Sequence, residues 1–92
     1  MDETKIVWSK YIQYRLQLRG FDLATVEQIV RSSTERYVDT GTGRLVAVGR
    51  HGDHLIVVPY ERTEHTLTPV TVHVTSRQQV NIRLKSGRFT NE

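Results

Sequence analysis

Leu55-Ile56-Val57-Val58-Pro59-Tyr60 is a nearly unbroken apolar run, set between a Gly52-Asp53 turn and a polar stretch starting at Glu61. An apolar run of this length without helical spacing reads as a strand buried within a sheet, with neighbours on either side. The flanking sequence supplies those neighbours. Arg36–Asp39 reads as a short strand, Thr40-Gly41-Thr42-Gly43 as a hairpin turn, and Leu45–Gly49 as a second strand. His54–Tyr60 is the third strand. The polar residues 61–68 form a long hairpin loop, and Val70–Val74 is the fourth strand. Successive hairpins of this kind predict a four-stranded antiparallel meander.

On either side of the strands the period changes from two to between three and four. Ser9 is a good N-cap type for a helix running to Arg19, with Gly20 as its stop. Within it, Tyr14–Leu18 also alternates like a strand, but the Ser cap and the Gly stop favour helix. Asp22 caps a second helix whose Leu23, Val26, Ile29 and Val30 line one face, ending near Ser32-Ser33. A third begins at Thr75 or Ser76, carries Val80, Ile82 and Leu84, and ends at Gly87. Ile6-Val7-Trp8 is an apolar lead-in that reads either as a strand or as a core anchor. The expectation is a single α+β domain over residues 1–92 with a flexible tail at 90–92: two helices, four strands, then a helix. At this length the helices are expected to cover one sheet face. The other face, or the cleft beside the last helix, is left for a ligand.

Composition removes several classes. The 92 residues include no cysteine, which excludes disulfide scaffolds and Cys-ligated zinc modules. Two Pro and six Gly, with apolar residues spread along the chain, argue for a folded segment. No stretch approaches the ~18 apolar residues of a membrane span. The acidic start Met1-Asp2-Glu3 does not look like a signal peptide. The expectation is therefore a soluble, cytoplasmic protein with no membrane partner.

The net charge is +3, and its distribution says more than its size. No acid occurs from His65 through Asn91, where Arg77, Arg83, Lys85 and Arg88 lie. None occurs from Ile6 to Phe21 either, which holds Lys10, Arg15 and Arg19. If the two ends meet in space, these cations form a patch suited to a polyanion; otherwise they are ordinary solvated helix faces.

Few residues suggest chemistry. His73 and Thr71 should share a face of the fourth strand, opposite Val70, Val72 and Val74. That arrangement exposes His73 beside the start of the third helix, near Arg77. An imidazole and a guanidinium so placed can transfer a proton and neutralise a phosphate, as RNA cleavage through the 2′-hydroxyl requires. The plain alternative is a surface histidine in a cross-strand contact. His51 and His54 flank a turn, with His65 in the next loop. They read better as a hairpin tip than as metal ligands, and no metal or other cofactor is expected. The glycines of Thr-Gly-Thr-Gly join two strands, unlike a phosphate-binding loop. Tyr11, Tyr14, Tyr37 and Tyr60 either stack on bases or serve the core edge.

Trp8-Ser9, Arg15, Arg19-Gly20-Phe21 and a second helix opening at Asp22 resemble a family of small bacterial proteins related to the BrnT-like toxins of the RelE-like ribonuclease group. Thr75-Ser76-Arg77 and the polar helix bearing Arg83 are similar to the Ser-Ala-Arg segment and basic helix that close BrnT-like chains. The resemblance implies the toxin component of a type II toxin–antitoxin pair: a metal-independent endoribonuclease acting on mRNA and neutralised by an antitoxin protein. It matches Arg77 and Arg83 to the C-terminal arginines and Arg15 and Arg19 to those of the first helix. His73 comes from the strand geometry, not from the resemblance. The expected catalytic set is His73, Arg77 and Arg83, with Lys10, Arg15, Arg19, Lys85 and Arg88 binding RNA. The other reading is a non-catalytic RNA- or protein-binding module of the same fold.

Overall fold

A computed structural model describes residues 4–92; the acidic opening Met1–Glu3 lies outside them. The apolar run is the centre of the sheet. It becomes β4 (His54–Arg62), in which Leu55–Val58 and Tyr60 are buried. Strand β3 (Arg44–His51) pairs with it antiparallel from Leu45↔Tyr60 to His51↔His54. Strand β2 (Glu35–Asp39) lies outside β3, as expected from the Thr-Gly-Thr-Gly turn.

The sheet has seven strands and is mixed, not a four-stranded meander. Most of the difference lies on the far side of β4. There, two short strands replace the expected Val70–Val74 strand. Strand β5 (Thr66–Pro69) pairs with Tyr60–Arg62, and β6 (His73–Thr75) pairs with Leu55–Val57. Prolines explain the break. The carbonyl of Pro59 accepts from Val70 N–H at 2.8 Å, so Pro59 turns its donor-less nitrogen toward this same side and cannot continue the ladder. Residues 70–72 cross the gap, and the valine alternation fails there. Val72 is fully buried, whereas Val74 is 44% exposed.

The two remaining strands come from the chain ends. The lead-in forms β1 (Lys5–Ile6), parallel to β5. Residues expected as a tail instead form β7 (Phe89–Asn91), antiparallel to β2 through Asp39↔Phe89 and Tyr37↔Asn91. Phe89 is buried, and its docking covers an edge that β2 would otherwise leave open.

The helices flank both faces, correcting the expectation of one covered face. Helix α1 (Lys10–Arg19) is capped by Ser9, whose Oγ accepts from Ile12 N–H, and buries Ile12 and Leu16. Helix α2 (Leu23–Ser32) is capped by Asp22, which accepts from Thr25 N–H at 3.0 Å, and buries Val26, Ile29 and Val30. Both pack on Ala47, Ile56, Val58 and Tyr60. Helix α3 (Arg77–Lys85), capped by Ser76, buries Val80 against the opposite face, formed by Val46, Val48, Leu55, Val57 and Phe89. Strands β3 and β4 carry apolar residues in both parities, so each face needs a cover. Gly49 lets α2 approach: a Cβ there would lie 2.7 Å from Ile29 Cγ1. Among the described residues, no helix is long and apolar enough to cross a membrane.

Candidate functional site

Between α3 and the sheet runs a cleft of about 440 Å³. Gln79 and Arg83, one helical turn apart, face it from α3, Arg44 from β3 and His73 from β6. Asp39 is the only carboxylate among its lining residues, and it is already neutralised. Arg88 Nε donates to Asp39 Oδ1, Arg88 Nη2 to Oδ2 at 3.2 Å, and Gly41 N–H to Oδ1 at 2.9 Å. The Arg88 bond holds the Asp39 carboxyl below the usual carboxylate range against the opposing effect of burial, with the Gly41 amide assisting. Arg88 lies so close over Gly41 that a Cβ there would meet its Nε at 2.6 Å. Arg83 sits over the Phe89 ring, 5.4 Å from its centroid, and Phe89 stacks on Tyr37 at 5.6 Å. The aromatic pair supports Arg83 from below without neutralising it.

His73 stands where the sheet ends, since among the described residues β6 pairs only with β4. It reaches solvent, yet partial burial lowers its pKa, and the charges of Arg15, Arg19 and Arg83 lower it further. Arg15 and Arg19 belong to α1 on one face of the sheet, and Arg83 belongs to α3 on the other. They act on one imidazole because the layer separating the two helices stops at β6. An imidazole biased toward its neutral form can accept a proton while neighbouring cations stabilise negative charge. Among the described residues, Arg15, Arg19, Arg44 and Arg83 have no carboxylate within salt-bridge distance.

Arg77 is placed elsewhere. Its Nη1 donates to Glu35 Oε2 at 2.6 Å and its Nη2 to Oε1 at 2.9 Å. The cross-strand row Glu35↔Val48, Val48↔Val57, Val57↔His73 sets Glu35 three strands away from His73, or about 14 Å. Tyr37 Oη also donates to Glu35, at 2.7 Å. The Arg77 hydrogen bond keeps Glu35 ionised at lower pH than usual, while burial and this carboxylate raise the Tyr37 pKa. Arg88 does line the cleft, tied to Asp39. Lys10 and Lys85 are exposed and do not line it.

The other histidines serve packing or lie in solvent. His51 Nε2 accepts from Asp22 N–H at 2.7 Å, and its ring lies 4.9 Å from Phe21. His54 meets Phe21 edge-on, and His65 is exposed beside Glu64. The hairpin tip is thus fastened to the α1–α2 turn.

No family model, curated protein or solved structure matches the chain.

Arg44 and Gln79 escaped the sequence reading. Arg44 shares strand parity with Val46 and Val48, so the face it occupies was available from the pattern. That this face lines a cleft depended on where α3 settles. For Gln79, the four-residue spacing from Arg83 was the unused signal.

Proposed function

We propose that this protein is a metal-independent endoribonuclease that acts on mRNA as the toxin of a toxin–antitoxin pair. The observation supporting cleavage is His73 in the lining of a cationic cleft, where burial and the charges of Arg15, Arg19 and Arg83 lower its pKa. His73 takes the proton from a ribose 2′-hydroxyl. O2′ attacks the adjacent phosphorus, and the bond from phosphorus to O5′ breaks. The products are a 2′,3′-cyclic phosphate and a 5′-hydroxyl, with the imidazolium returning its proton to the leaving O5′. Arg83 and Arg15 stabilise the charge gathering on the phosphoryl oxygens. Arg77 takes no part at phosphorus, because its charge and both terminal nitrogens are committed to Glu35. The toxin assignment rests on the sequence resemblance, and the basic cleft suits it to an acidic antitoxin.

The test is incubation of purified protein with single-stranded RNA in EDTA. A cyclic-phosphate product is expected, with no cleavage where the 2′-hydroxyl is replaced by hydrogen. His73→Gln should lower the rate by roughly 10²–10⁴-fold. Cleavage by that variant at the unaltered rate rejects the site. RNA binding without cleavage identifies a non-catalytic module. Expression should arrest bacterial growth unless the antitoxin is co-expressed, and harmless expression rejects the toxin assignment.

A further inference from the structure

Helix α1 carries a second surface that the proton-transfer site leaves unused. Tyr11, Tyr14 and Leu18 are 58%, 60% and 64% exposed. Their spacing of three and four residues puts them in one stripe, and Tyr14, Gln17 and Leu18 line a shallow depression. Soluble helices normally turn such residues inward, and Ile12 and Leu16 already fill that role here.

The charges around the stripe say what it can meet. At about 3.6 residues per turn, Arg15 and Arg19 fall between the buried Ile12–Leu16 line and the exposed tyrosines. Lys10 adds a cation at the start of the helix, and α1 contains no acidic residue. The Arg15 guanidinium has no side-chain hydrogen bond among the described residues, and its Nε is buried without a partner. Charge opposes a second copy of the chain, since an isologous contact would bring like cations together. An anionic ligand with flat apolar faces answers both features. Single-stranded nucleic acid has them, its phosphates meeting the arginines and its bases the phenol rings.

We infer that α1 is a docking track for single-stranded RNA, with Tyr11 and Tyr14 stacking on successive bases beyond the phosphate bound at His73. The two tyrosines are spaced about 5–6 Å apart at Cβ, a separation that neighbouring nucleotides of an extended strand can span. Arg15 and Arg19 lie between them and the imidazole, so one backbone can run continuously from the cleft onto the helix. The inference rests on the cleavage reading for its starting point and adds the substrate class: unpaired strands, because a duplex keeps its bases stacked on each other.

Binding of a short 2′-O-methyl oligouridine to the intact protein, followed by fluorescence anisotropy at fixed salt, tests the track. Tyr11→Ala and Tyr14→Ala should each weaken binding by roughly 5- to 100-fold. Replacing both residues by Phe should preserve it, since the ring and not the hydroxyl makes the contact. A duplex of mixed sequence should bind more weakly, with no dependence on either tyrosine. Both side chains are exposed, so the thermal unfolding midpoints of the variants should match the wild type and exclude misfolding. Unchanged affinity in the alanine variants overturns the inference, as does equal dependence of duplex binding on the tyrosines. Tyrosine-dependent binding of poly-glutamate in place of the oligonucleotide assigns the stripe to an acidic protein segment and also overturns it. Because this probe cannot be cleaved through O2′, failure of the cleavage reading leaves the measurement intact.

Discussion

At the residue scale, His73 gives the sharpest expectation, because the sign of its perturbation is fixed by position. Burial and three arginines favour the neutral form, so the folded protein releases this proton at lower pH than an ordinary histidine near 6.5. For the proposed RNA cleavage, the acidic limb of kcat/KM, which reports groups of the free protein, should therefore lie below about pH 6.5. Removing Arg15 and Arg19 together should move it upward, and an unmoved limb would detach those arginines from the site. The same shift affects stability. The unfolded chain takes up this proton first, so the His73 contribution is lost as pH falls through the ordinary histidine range. His73→Gln should flatten that part of the unfolding curve. Asp39 and Glu35 add a lower window. Their pKa values are depressed by Arg88 and Arg77 respectively, so the stability they contribute is present above the ordinary carboxylate range and lost as pH falls below about 4.

Among the elements, the approach of α2 to β3 depends on one missing side chain. Gly49→Ala would place a methyl 2.7 Å from Ile29 Cγ1 and 2.9 Å from its Cγ2. Overpacking of that kind should cost about 1–3 kcal/mol in urea-induced unfolding. The double change Gly49→Ala with Ile29→Ala should cost less than the sum of the two single changes, because it removes the Cγ1 and Cγ2 atoms that the new methyl meets. Caps were the most readable local signals. Ser9, Asp22 and Ser76 each accept the N–H three residues on, and Ser76→Ala should cost roughly 1 kcal/mol. The strands on the far side of β4 were less readable. The prolines were visible, but which neighbour Pro59 turns its missing donor toward depends on register, and register is a property of the assembled sheet. The Val70–Val74 alternation looked like one strand for that reason.

Across the whole molecule, the arrangement is electrostatic. Arg15, Arg19, Arg44 and Arg83 lack carboxylate partners among the described residues, whereas Arg77 and Arg88 are neutralised by Glu35 and Asp39. Net charge alone does not separate these two groups. If Arg15, Arg19, Arg44 and Arg83 contact phosphates, log affinity for single-stranded RNA should fall against log salt with a slope of about −3. Arg83→Ala should make that slope shallower by about 0.7, whereas Arg77→Ala should leave it unchanged. A slope that responds to Arg77 instead would move the binding surface to the Glu35 end of α3.

Sequence alone determined the helix caps, the central apolar strand, the β2–β3 and β3–β4 hairpins and the acid-free ends, because each depends on residues near one another along the chain. It also nominated His73, through local strand parity. Tertiary structure decided the rest: helices on both faces, β7 closing the β2 edge, and which arginines remain free. Pairing between Arg77 and Glu35, or between Arg88 and Asp39, spans more than forty residues. No local pattern encodes such a meeting, since only the packed sheet brings those charges within reach of each other.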